Sequence, residues 1–184
     1  MIIPAETIKL KDMKEYLLRS TEESDAEQLA SFIYELHTEC PYMVNTLDEI
    51  ETDPAPYEAI LRSFRESDHG FHITVYDGEK LIAAAGVEPV GFERKVMHRC
   101  TIGIAINKSY RNKGLGTQMI ALCMDLAGAL GYNVMEMGVN SKNTLALSVL
   151  NRTGCRNLGY IPRAFRQDDG YLDASSCFSV LFLL

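Results

Sequence analysis

Apolar positions along the chain recur with two periods, and the switch between them outlines its elements. Thr7-Ile8-Lys9-Leu10-Lys11 alternates polar and apolar residues, and Tyr16-Leu17-Leu18-Arg19 follows after a polar interval. This pattern predicts a hairpin leading into the fold. Ser24-Asp25-x-Glu27 has the composition of a helix start, and Leu29, Phe32, Ile33 and Leu36 continue it at helical spacing. Residues 38–55 are acidic and contain Pro41 and Pro54, with Pro56 just beyond. They predict a loop with one short helix near 47–51. A second helix is expected over 57–64, with Ile60, Leu61 and Phe64 on one face.

Strands come next. Residues 71–76 and 80–87 flank Asp77-Gly78, a strong hairpin signal. A strand over 97–106 follows. The helix after it turns Met119, Ile120, Leu122, Cys123, Leu126, Ala127 and Leu130 toward a core, and Gly131 is placed to stop it. A strand over 134–139 and a helix over 143–152 come next, with Gly154 placed to end the helix. Residues 171–184 predict a last hairpin or strand pair, because Ser176-Cys177-Phe178-Ser179-Val180-Leu181-Phe182 is too apolar to stand exposed. Neither a repeat nor an internal linker interrupts this order, which predicts a mixed α/β, three-layer domain.

Composition narrows the function. The 184 residues suit one domain with a sizeable core. No apolar run reaches membrane-spanning length, and Met1-Ile2-Ile3-Pro4-Ala5-Glu6 lacks the features of a secretory signal. Cys40, Cys100, Cys123, Cys155 and Cys177 are scattered and odd in number, which fits reduced thiols in the cytoplasm. The histidines His37, His69, His72 and His98 do not pair with them at metal-ligand spacing, so no metal is expected. A net charge of −7 argues against nucleic acid and favours a cationic substrate. Against this acidic background Lys108, Arg111 and Lys113 form a basic island.

That island contains the most specific motif, Tyr110-Arg111-Asn112-Lys113-Gly114-Leu115-Gly116-Thr117. It lies between the strand Thr101-Ile102-Gly103-Ile104-Ala105-Ile106 and a helix start at about Leu115. Unpaired amides and the partial positive charge of a helix N-terminus attract anions, and glycine lets backbone approach a phosphate. A phosphorylated cofactor is therefore expected. The spacing fits neither the Walker loop nor the dinucleotide fingerprint. Arg111-x-x-Gly114-x-Gly116 instead resembles the R/Q-x-x-G-x-G/A loop of the GNAT acetyltransferases, whose amides hold the pyrophosphate of acetyl-CoA. The resemblance implies cofactor contacts at Arg111, Asn112, Lys113, Gly114, Leu115, Gly116 and Thr117.

Further along, Asn143, Ala146 and Gly154 match the N-x-x-A-x-x-x-Y-x-x-x-G-F element of the same family. Asn143 is placed either to cap a helix or to bond the pantetheine arm. Arg152 stands where many relatives have lysine, either meeting the cofactor phosphates or lying on the surface. Residues 7–12, His98-Arg99, Gly159-x-x-Pro162 and Asp169-Gly170-x-x-Asp173 look like a bacterial subgroup related to the ribosomal-protein alanine acetyltransferases. The similarity spans residues 7–184 and is weakest over 39–65, which in this fold helps form the acceptor cleft. It implies a GNAT-like fold with a mostly antiparallel mixed sheet, helices on both faces and a splayed strand pair at the cofactor cleft. Residues 1–15 would be an N-terminal hairpin extension, and residues 16–184 the transferase domain.

The implied reaction is direct attack of a primary amine, on a small molecule or a protein N-terminus, on the acetyl-CoA thioester. Backbone N–H groups at Ile104, Ala105 and Ile106 would face the pantetheine arm and the thioester oxygen. Two departures matter: Leu150 occupies the position of the family's tyrosine acid, and Cys155 that of its phenylalanine. Glu88 is the leading base and Glu136 the second, with His98 or a water relay as alternatives. Cys100 has no His or Asp partner at nucleophile spacing, which argues against an acetyl-enzyme. The competing reading is a non-catalytic acyl-CoA-binding module that has lost its acid, and a nucleotide-binding regulator is a remoter one. Glu39, Asp48, Glu49, Glu51 and Asp53 are placed either to line an acidic mouth for a polyamine, an aminoglycoside or a protein N-terminus, or simply to be solvated. The apolar last strand suits pairing in a homodimer.

Overall fold

A computed structural model of the protein describes residues 1–167 and 170–180. Asp169 of the Asp169-Gly170-x-x-Asp173 motif and residues 181–184 of the expected last strand lie outside the described residues. The chain forms two compact units, Met1–Glu88 with Gly103–Gly116, and Pro89–Ile102 with Thr117–Leu184.

In the first unit, β1 (Glu6–Lys9) and β2 (Glu15–Ser20) form the expected antiparallel hairpin, with Ile8 opposite Tyr16. Alternation buries Tyr16 and Leu18 and leaves Leu17 exposed. β2 pairs with β3 (Phe71–Asp77), and β3 with β4 (Lys80–Pro89), all antiparallel. The β3–β4 turn uses Gly78 at φ 61°, a backbone conformation that suits glycine.

Two helices pack against these strands. α1 (Ala26–Glu39) follows a one-turn 3₁₀ segment in which Asp25 accepts the Glu22 N–H at 2.7 Å. α2 (Pro54–Glu66) starts earlier than the apolar spacing predicts. Asp53 Oδ1 accepts the Ala55 N–H at 2.9 Å, and Pro54 stands at a first-turn position where a missing N–H costs nothing. Its buried face carries Leu61 and Phe64, whereas Ile60 is 50% exposed and does not share it. Leu29, Phe32, Leu36, Leu61, Tyr76, Leu81 and Ala84 make a common core with Ala105 packed against it.

β5 (Arg99–Ile106) contributes residues 103–106 to this unit and residues 99–102 to the second. In the second unit β5 pairs in parallel with β6 (Val134–Asn140), matching Arg99–Thr101 to Val134–Glu136. β6 pairs antiparallel with β8 (Gly170–Val180), and β8 with β7 (Arg156–Gln167). The tail thus forms its hairpin with residues 156–167, a strand that the apolar pattern leaves unassigned. Its ladder is irregular at Asn157/Gly159 and at Ile161/Phe165, where Arg163 takes φ 54°. These breaks spoil the period of two by which strands are recognised. α3 (Leu115–Ala129) buries Met119, Ile120, Cys123 and Ala127. It closes with Gly131 at φ 91° donating to Gly128 O at 2.9 Å and Tyr132 donating to Ala127 O at 3.1 Å, a Schellman stop. α4 (Thr144–Arg152) ends before Gly154, at φ 82°.

Candidate functional site

The glycine loop is built on the end of β5. Asn107 is buried there, its N–H donates to Ile82 O at 2.9 Å, and its Oδ1 accepts the Ser109 N–H at 3.1 Å. A single 3₁₀ turn, Lys108–Tyr110, follows. Tyr110 Oη donates to Asp77 Oδ2 at 2.8 Å, fastening the turn to the β3–β4 hairpin. Asn112 at φ 64° and Gly114 at φ 90° then wind the backbone through left-handed conformations into α3. The first amides of α3 have no partner inside the helix, so they face outward at its positive end.

Arg111 and Lys113, the two cations of the loop motif, are already paired. Arg111 Nε donates to Ile106 O at 2.9 Å, and Nη2 reaches Glu39 Oε1 at 3.2 Å. The same carboxylate oxygen accepts the Lys108 N–H at 2.8 Å. Lys113 Nζ lies 3.2 Å from Asp12 Oδ2 and 4.7 Å over the Tyr110 ring. The loop's attraction for anions therefore rests on backbone dipoles rather than on spare charge at Arg111 and Lys113.

The turn of the N-terminal hairpin completes this arrangement. The Lys11 N–H donates to Lys113 O at 3.1 Å. Tyr16 Oη donates to Asp12 Oδ2 at 2.7 Å, and the Tyr16 ring meets the Tyr110 ring edge-on at 6.1 Å. That hydrogen bond holds the Asp12 carboxyl below its usual range, and Lys113 acts in the same direction. Burial, and then Asp12, push the Tyr16 hydroxyl up to about 12. Asp12, Glu39 and Asp77 are loop partners that motif reading misses, since a local spacing rule carries no sign of contacts 72 residues apart such as Glu39 with Arg111.

Ile104, Ala105 and Ile106 are half-buried, and Glu88 is exposed near the end of β4. Among the described residues Glu88 forms no ion pair. Glu49, Glu51 and Asp53 accept nearby backbone N–H groups and so hold their own segment.

In the second unit, Glu136 is bound to Arg99. Cys100 is buried, its Sγ–H faces Val134 O at 3.6 Å, and burial pushes its thiol up to about 12. Thr117 continues the first turn of α3. Asn143 Oδ1 accepts the Ala146 N–H at 3.1 Å, the cap of α4. Arg152 is exposed and donates to Ser148 O at 3.2 Å. Leu150 is 2% exposed, a core residue, and its carbonyl accepts the Cys155 N–H at 3.1 Å. Among the described residues no group of His, Cys, Asp and Glu is arranged to hold a metal ion, and no helix is long and apolar enough to cross a membrane.

Residues 30–154 match the model of the acetyltransferase (GNAT) family. No curated protein sequence matches the chain. Among solved structures it is similar to an acetyltransferase of the GNAT family from Streptococcus pneumoniae, with TM-score 0.84 and 21% identity over 90% of this chain and 98% of that one. It is also similar to yncA from Salmonella typhimurium, described with its cofactor acetyl-CoA, with TM-score 0.82 and 15% identity over 92% and 95% of the two chains. A third is the ribosomal-protein-S5-alanine acetyltransferase from Vibrio fischeri, with TM-score 0.79 and 16% identity over 95% and 96%.

Proposed function

The chain belongs to the GNAT acetyltransferase family, and we propose that it transfers the acetyl group of acetyl-CoA to a primary amine. The observation that carries this reading is the loop at 111–116: a left-handed turn at Asn112 and Gly114 that delivers the outward amides of α3. Gly114 at φ 90° lets the loop turn sharply into the start of α3, where backbone N–H groups can meet a phosphate, so the residues present fit the cofactor. The amides of residues 112–117 would hold its pyrophosphate.

Bound acetyl-CoA supplies an acetyl thioester activated toward a neutral amine. The N–H groups of Ile104, Ala105 and Ile106 orient the acyl carbonyl and stabilise the charge that develops on its oxygen. Glu88 takes the proton from the incoming amine, being a carboxylate with no ion-pair partner among the described residues. Leu150 offers no proton to the departing thiolate, which solvent protonates instead. The acceptor is an amine on a small molecule or a protein N-terminus. We place the protein in the cytoplasm on its thiols, Cys100, Cys123 and Cys155 being buried and free.

Calorimetric titration with acetyl-CoA, with CoA and ATP as controls, tests the reading. Micromolar acetyl-CoA binding, about −8 kcal/mol, is expected. Gly114→Glu removes it while keeping a cooperative unfolding transition, at a lower melting temperature because φ 90° strains a side chain at this position. A wild-type protein that does not bind, or a variant that binds as well, overturns the assignment. The burial of Leu150 favours one second reading, a non-catalytic acyl-CoA-binding module. Amine-dependent release of free CoA excludes that reading.

A further inference from the structure

We propose that Lys11, on the turn of the N-terminal hairpin, is a phosphate-binding residue for the cofactor and brings uncompensated positive charge to the glycine loop. The inference rests on the cofactor reading above and adds to it a residue outside the loop motif.

Three observations converge on Lys11. Its backbone is locked to the loop, because its N–H donates to Lys113 O at 3.1 Å. Its side chain lies across the loop's glycine: a Cβ on Gly114 would stand 3.5 Å from Lys11 Cε, 3.6 Å from Cγ and 3.8 Å from Cδ. The aliphatic stem thus rests on the bare face of Gly114, and the ammonium is one bond beyond that contact. The third observation concerns charge. Arg111 is paired with Glu39, and Lys113 with Asp12. Among the described residues Lys11 has no carboxylate partner and is exposed.

The physical consequence follows from the pairing. A cation held by a carboxylate must give up that partner to serve a phosphate, and the exchange cancels much of the gain. Lys11 loses no partner. Its stem is already packed on Gly114, so less rotamer freedom is lost when the ammonium meets an anion. The neighbouring Asp12 does not quench it, since that carboxylate is taken by Lys113 Nζ and Tyr16 Oη. The hairpin turn therefore does two things at the loop: Asp12 anchors Lys113, and Lys11 brings uncompensated charge.

The test is calorimetric titration of CoA and of 3′-dephospho-CoA into the wild-type protein and the Lys11→Met and Lys11→Arg variants. Lys11→Met keeps an apolar stem over Gly114 and removes only the charge. CoA should bind it ~tenfold more weakly, as expected for loss of one charge-assisted bond. Lys11→Arg should bind within about threefold of wild type, and all three proteins should melt together. An equal loss with both ligands supports the proposal and assigns Lys11 to the pyrophosphate, and a loss confined to CoA supports it and assigns Lys11 to the 3′-phosphate. Unchanged CoA affinity in Lys11→Met, with wild type binding and Gly114→Glu not binding, overturns this inference alone. A wild type that binds neither ligand overturns both readings together.

Discussion

Glu39 Oε1 stands 3.2 Å from Arg111 Nη2 and 2.8 Å from the Lys108 amide nitrogen, so the last residue of α1 holds both ends of the turn that precedes the glycine loop. Both members of the ion pair are less than a quarter exposed, so solvent screens them only in part. Glu39→Ala removes two acceptor contacts and should lower unfolding free energy by about 1 kcal/mol. Glu39→Gln, which keeps an oxygen for the Lys108 N–H, should lose about half as much. Urea unfolding of the two variants checks this, and equal losses would show that the amide bond contributes nothing.

Stability should depend on pH through His72. Its Nδ1 lies 2.7 Å from Thr21 Oγ1 and its ring 5.4 Å from that of Phe64. Burial pushes its pKa from 6.5 down to about 4, against the opposing charge of Asp25. The unfolded chain therefore takes up a proton below pH 6.5, while the folded chain stays neutral at this site until about 4. The unfolded state binds more protons in that window, so stability falls as pH drops through it, by up to about 3 kcal/mol. Urea midpoints at pH 7.5, 6 and 5 should fall less steeply for His72→Asn than for wild type. Parallel slopes would refute the assignment.

Buried thiols predict selective labelling. Cys100 and Cys123 are buried, which pushes each thiol up to about 12, whereas Cys40 is half-exposed. Thiolate is the reactive form, so Cys40 should be alkylated well before Cys100 and Cys123 in the native protein. Peptide mapping by mass spectrometry reads the order. Acetyl transfer in Cys100→Ala should stay within about twofold of wild type, because a thiol so far from ionisation is no nucleophile.

A tyrosine placed at position 150 should not supply an acid. Leu150 is 2% exposed, and a larger side chain there must displace its neighbours. Leu150→Tyr should destabilise the fold by about 1–3 kcal/mol. Denaturant unfolding measures the loss, and a variant as stable as wild type would mean that the site has room for a phenol after all.

The elements recovered from the pattern are those whose signals are local. The β1–β2 alternation, the Asp77-Gly78 turn, the apolar stripe of α3 and the Gly131 stop each follow from the conformational preference of a few adjacent residues. Asn143 is one of two alternatives made concrete: its side chain caps α4. α2 starts before the apolar spacing predicts, because Pro54 and Pro56 resemble loop residues although proline suits a first helical turn. Ile60 lies off the buried face that its spacing predicts, because apolarity alone does not say which of several adjacent stripes meets the core. β7 has no legible period in the sequence, because two ladder irregularities hide it.

What the sequence determined by itself is the class of fold and the kind of ligand. Both are written in short-range patterns: the order of strand and helix periods, and a glycine loop at a helix start. Only the tertiary structure decided how charge is distributed at that loop. It brought Glu39 to Arg111 and Asp12 to Lys113, leaving Lys11 against Gly114. No spacing rule states such pairs, since ion pairing depends on distance in space, and chain folding sets that distance independently of separation in sequence.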